Sequence, residues 1–126
     1  MTAKSVPQQS RGKVAVIEEK SDNIYSLRFI LQSLGYELLS IQRDEPLDTQ
    51  ILSFQPRVVL IDMLIPENEG LRILKTLKKL ALEDTVFVAI TADVVDISIE
   101  ELKAAGFDAV LKKPFSVGEM QKVLNG

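Results

Sequence analysis

Asp62 closes the apolar run Val58-Val59-Leu60-Ile61 and is followed by Leu64-Ile65-Pro66 and then Gly70. A continuous apolar run of that length reads as a strand buried on both faces, as in a parallel sheet. A carboxylate at the end of such a strand is costly to desolvate unless something there needs its charge. Three further strand candidates also end in polar groups. Glu18-Glu19 follows Val14-Ala15-Val16-Ile17, Thr91 follows Val86-Phe87-Val88-Ala89-Ile90, and Lys112-Lys113-Pro114 follows Val110-Leu111. Together the four ends offer an acid pair, an acid, a hydroxyl and a base. Three carboxylates in one pocket repel one another, so they either stay partly protonated or hold a cation. An all-oxygen site with room for water suits Mg²⁺. A hydroxyl and an ammonium on the opposite side suit the oxygens of a phosphoryl group. Asp62 can then act as the nucleophile that gives an acyl phosphate.

The elements needed to bring these groups together are visible along the chain. Strand-like and helix-like segments alternate five times. Helix one is predicted to start near Ser21-Asp22 and run to Gly35, with Leu27, Ile30, Leu31 and Leu34 as its apolar stripe. Strand two is Glu37 to Ile41, and helix two follows Asp44-Glu45-Pro46 to about Phe54, stopped by Pro56. Helix three covers Leu71 to about Leu80, with Leu71, Leu74 and Leu77 inward and Arg72, Lys75, Lys78 and Lys79 mostly outward. Helix four leads to Gly106, and a last helix begins near Ser116. Five β–α units imply an α/β fold: a flavodoxin-like, doubly wound five-stranded parallel sheet, order 2-1-3-4-5, with helices on both faces. In that order strands one and three are neighbours, and their carboxyl ends form the topological switch point where ligands bind.

Composition narrows the alternatives. At 126 residues, 46% hydrophobic and 26% charged, the chain is expected to form one globular domain over residues 12–126 behind a polar, flexible tail at 1–11. There are no cysteines and no histidines, which excludes disulfides, thiolate metal sites and a phosphohistidine donor within the chain. A net charge of −3 supplies no electrostatic pull on nucleic acid. No apolar run approaches the roughly 18 residues that span a bilayer, and the start lacks a secretion signal. A cytoplasmic location is therefore expected. A flavodoxin-like cofactor binder is discounted, because Glu18-Glu19-Lys20-Ser21-Asp22 would repel a phosphate where such a binder needs free amides.

The residues also resemble the receiver domain of two-component response regulators, from about residue 12 to 126. Ile61-Asp62-Met63-Leu64-Ile65-Pro66 with Gly70 looks like the phosphoacceptor segment. Thr91-Ala92 looks like the switch hydroxyl dipeptide, and Lys113-Pro114-Phe115 like the lysine segment. The resemblance implies phosphotransfer to Asp62 from a histidine kinase or histidine phosphotransfer protein. It implies Mg²⁺ at Glu18, Glu19, Asp62 and the Leu64 backbone carbonyl, with phosphate contacts from Thr91, the Ala92 N–H and Lys113. Such a domain is a phosphoacceptor and not a conventional enzyme; it catalyses only its own phosphorylation and dephosphorylation.

Three departures shape the expectations. Glu19 stands where the family commonly has Asp, and its extra methylene weakens Mg²⁺ placement. Val110 stands where an aromatic switch residue is often found, so an aromatic rotamer readout is not expected, although a threonine shift can still occur. No effector segment follows the fifth β–α unit, so output would pass through a downstream protein target or a second copy of the chain. The alternative reading is a pseudo-receiver, an interaction module that signals without phosphorylation. Tyr25 and Phe29, opposite the stripe of helix one, are candidate partner contacts. Helix four is expected to begin within the β-branched run Val94 to Ile99. Val95, Ile99 and Leu102 would face inward there, leaving Val94 and Ile97 near the surface as a movable partner face.

Overall fold

Parallel pairing of five apolar runs sets the architecture. The computed structural model describes residues 12–18, 21–42, 46–63, 69–80, 82–92 and 97–125. The order is β1 (Lys13–Glu18), α1 (Ser21–Ser33), β2 (Glu37–Gln42), α2 (Leu47–Phe54) and β3 (Val58–Asp62), then α3 (Glu69–Lys78), β4 (Val86–Thr91), α4 (Ile99–Ala105), β5 (Ala109–Lys112) and α5 (Val117–Asn125). The sheet runs β2-β1-β3-β4-β5, and every pairing is parallel. This is the strand order and fold class expected from the alternating pattern.

Alternation along each strand sorts the core into two layers. Ala15, Ile17, Val59, Ile61, Phe87 and Ala89 pack with Ile51, Ile73, Leu74, Leu77 and Leu102, which come from α2, α3 and α4. Val14, Val16, Val58, Leu60, Val88, Ile90 and Leu111 pack on the other side with Leu27 and Leu31 of α1 and Met120 and Leu124 of α5. The central strands β1 and β3 are buried almost throughout, which is why their sequences show no polar alternation. α1 ends as its glycine dictates. Gly35 takes φ 91°, so the Tyr36 N–H reaches the Leu31 carbonyl at 2.9 Å and the Gly35 N–H reaches that of Gln32 at 3.0 Å.

Two helix starts carry reciprocal caps. The Ser98 Oγ accepts from the Glu101 N–H at 3.1 Å, and the Ser98 N–H donates to Glu101 Oε1 at 3.0 Å. The bond from the Ser98 N–H, before any other cause, holds the Glu101 carboxyl below its ordinary pKa. Ser116 and Glu119 repeat the arrangement ahead of α5, at 3.1 and 2.9 Å. Ser98→Ala should cost about 1 kcal/mol, read as a lower urea midpoint with an unchanged slope. An unaltered midpoint would show that α4 does not depend on this cap.

The cap corrects the reading of helix four. Among the described residues α4 begins at Ile99, with Ser98 extended at φ −74°, ψ 162° as the N-cap. Ile99 therefore occupies the first helical position and is 44% exposed, not inward. Ile97, expected near the surface, is half-buried and packs against the same cluster as the fully buried Leu102. The physical reason is a hydrophobic staple, in which the residue before the cap folds toward the fourth helical position. Val94 and Val95 lie outside the described residues. In α3 the buried set is Gly70, Ile73, Leu74 and Leu77, while Leu71 is half-buried at the margin.

The far end of β4 and β5 is joined by a doubled contact. The Asp108 N–H donates to the Phe87 carbonyl at 2.8 Å, and the Asp108 Oδ2 accepts from the Phe87 N–H at 2.8 Å. From there the strands run in register to Thr91 opposite Lys112.

Candidate functional site

Among the described residues, the only fully buried polar or charged side chains are Glu18, Asp62 and Thr91, and each is the last residue of its strand. The sheet register brings them together. Ile17 pairs with Ile61, so Glu18 and Asp62 continue as neighbours on adjacent strands. Asp62 pairs with Ile90, which sets Thr91 one step beyond. The Lys113 N–H donates to the Thr91 carbonyl at 2.8 Å, extending the ladder past β5. Glu18, Asp62 and Lys113 are in phase with Val16, Leu60 and Leu111 and share one face. Thr91 is in phase with Phe87 and Ala89 and closes the site from the other.

The electrostatics follow from that crowding. The Lys113 Nζ lies 3.6 Å from Asp62 Oδ2, an ion pair with Asp62 almost fully enclosed. Glu18 is 1% exposed, and neither of its carboxylate oxygens has a hydrogen-bond partner among the described residues. Burial, and then repulsion from Asp62, push its carboxyl pKa up to about 7, with Lys113 pulling the other way. A buried carboxylate with two unused oxygens beside a second acid wants either a proton or a cation. Oxygen donors suit Mg²⁺, so the residues present fit that ion. The described residues alone do not make a three-acid cluster. Glu19 and Leu64, the other expected ligands, lie outside the described residues.

Thr91 is 5% exposed, and among the described residues its hydroxyl makes only a long 3.5 Å contact to the Ala92 carbonyl. Ala92 itself is half-buried beside it. Beneath the site, the first turn of α3 comes close: a Cβ on Gly70 would meet the Met63 sulfur at 2.8 Å. Phe29 is 75% exposed on α1, away from buried Leu27 and Leu31, as its helical phase requires. The side chain of Tyr25 and the whole of Val94 lie outside the described residues. Asp108 is a positioning residue that sequence reasoning passed over. Its contact joins a side chain to backbone on another strand, and no local pattern announces it.

Known proteins share this sequence pattern and fold. Over 106 residues the chain is 29% identical to the polar-differentiation response regulator DivK of Brucella anthropi, covering 82% of this chain and 85% of that protein. A response regulator receiver domain protein from Clostridium thermocellum superposes with a TM-score of 0.76 at 26% identity, covering 90% of each chain. A CheY-like receiver domain protein from Methanospirillum hungatei superposes with a TM-score of 0.71 at 20% identity, covering 90% of this chain and 91% of that one. The family model of the response regulator receiver domain matches residues 14–125. The chain therefore belongs to the response regulator receiver domain family of two-component signalling.

Proposed function

We propose that Asp62 accepts a phosphoryl group from a phosphohistidine and that the modified domain switches a protein partner. One observation carries the reading: a buried strand-end carboxylate held 3.6 Å from an ammonium and beside a second acid whose oxygens have no partner among the described residues. An Asp62 carboxylate oxygen attacks phosphorus, the P–N bond breaks, and the imidazole leaves with the bonding pair and takes up a proton. The product on the protein is an acyl phosphate. Receiver domains typically bind Mg²⁺ at this position, and the cation, when bound, neutralises charge on the phosphoryl oxygens. Glu18 and Asp62, with Glu19 and the Leu64 carbonyl, would hold it. Lys113 would meet one phosphoryl oxygen, and Thr91 with the Ala92 N–H another.

Receiver domains interact with histidine kinases and downstream targets and are signalling domains, not conventional enzymes. In this chain Phe29 on α1 supplies an exposed aromatic anchor for the donor protein. The loosely held Thr91 hydroxyl is free to turn toward a phosphoryl group and draw on the segment before α4. The direct test is intact-mass analysis with phosphoramidate and Mg²⁺. One phosphate should add to the wild type and none to Asp62→Asn. Equal labelling of the variant would remove Asp62 from the mechanism, and an unlabelled wild type would favour the phosphorylation-independent interaction module.

A further inference from the structure

The outer face of α3 is strongly basic. Between residues 69 and 80 it carries Arg72, Lys75, Lys78 and Lys79 against the single acid Glu69, in a chain of net charge −3. Arg72 pairs with Glu69 at 3.3 Å in an exposed contact worth little, and neither Lys75 nor Lys78 has a carboxylate partner among the described residues. Arg72, Lys75 and Lys78 fall three residues apart and form one row about 9 Å long. That row borders a groove of about 520 Å³ between α3 and the end of α4, floored by Leu71, Ala105 and Gly106.

The groove is shaped in advance of any occupant. Gly106 has no Cβ, and one placed there would stand 3.2 Å from Lys78 Cε, so the lysine stem lies across the end of α4. The Lys78 ammonium sits 5.1 Å from the centroid of the Phe87 ring, which fixes its direction. A cation already held in place loses less entropy when it meets a partner charge. An apolar floor beside a row of cations is poorly matched to a nucleic-acid backbone, which offers charge without apolar side chains. It matches a helix that alternates apolar residues with carboxylates at three- or four-residue spacing.

We propose that the α3–α4 groove docks an acidic amphipathic segment of a partner protein, its carboxylates on Arg72, Lys75 and Lys78 and an apolar side chain on Leu71 and Ala105. The inference does not depend on phosphoryl transfer. The probe is a synthetic acetylated helix of Glu and Leu, about 14 residues or ~20 Å long, titrated into the full chain and followed by amide NMR shifts. Saturable shifts centred on residues 71–78 and 103–107 are expected. The Arg72→Glu, Lys75→Glu double variant should weaken binding about tenfold or more. Lys122→Glu on α5, an exposed charge change elsewhere, should leave binding unchanged, and phosphoramidate labelling should persist in both variants.

Absence of saturable shifts at that face would overturn the proposal. So would equal binding of a Glu-only peptide or a single-stranded oligonucleotide, which would make the face a general anion patch. Concentration-dependent shifts of the same amides without peptide, with a dimer in sedimentation, would assign the face to a second copy and overturn it as well.

Discussion

Glu18→Gln should stabilise the metal-free protein at pH 8 by about 2 kcal/mol, raising its midpoint by about 10 °C. The folded Glu18 carboxyl titrates near 7, above the ordinary value of 4.5, because it is buried beside Asp62. Between those two values the folded protein holds a proton that the unfolded chain has released. The contribution of Glu18 to the stability of the metal-free wild type should therefore fall as pH rises from about 4.5 to 7 and level off above. The full shift corresponds to about 3 kcal/mol, and a buried amide without partners returns part of it. At pH 5 and below the two proteins should be close in stability. Millimolar Mg²⁺ should reverse the order at pH 8, because only the wild type offers the ion this carboxylate. Parallel stability profiles for the two proteins from pH 4.5 to 7.5 would show that Glu18 does not carry this charge burden.

Lys113→Met should separate stability, metal binding and phosphorylation. The ammonium 3.6 Å from Asp62 Oδ2 is the described counter-charge for two buried acids, and it holds the Glu18 pKa down. Lys113 is itself partly exposed, so its loss should cost about 2 kcal/mol at pH 8, less than breaking a fully buried pair. Mg²⁺ should bind more tightly, because a competing cation has gone. Phosphorylation by phosphoramidate should slow by about 100-fold, the scale of losing one well-placed group that stabilises developing charge. Weaker Mg²⁺ binding together with an unchanged labelling rate would place Lys113 outside the reaction and make it a structural counter-ion alone.

The strand ends were legible because runs such as Val58 to Ile61 contain no polar residue, so the first charge beyond them marks where the sheet opens to solvent. Strand order followed from the alternation of elements, and it places Glu18 beside Asp62. The sequence did not show how fully Glu18 is enclosed, because two adjacent acids read equally well as solvated loop charge. The inward set of α4 is hidden in the sequence for a different reason. Ile97 and Ile99 look alike in a β-branched run, and only the Ser98–Glu101 cap decides which lies before the helix and which opens it. The helical phase of α3 turns its basic row outward, as observed, but the alignment of that row with Gly106 needs the tertiary placement of α4.

The Asp108–Phe87 contact makes the end of the sheet that carries Asp62 answerable to its opposite end. Five residues separate Asp108 from Lys113, about 17 Å along an extended strand. Because side chains alternate, a slip of one residue between β4 and β5 would turn the lysine away from Asp62 to the other face. Asp108 thus acts like the datum mark on a ruler: it reads nothing itself, but every position measured from it depends on where it is set. Inherited variation at this remote, exposed carboxylate should therefore surface as faulty signalling in protein that is still abundant and folded.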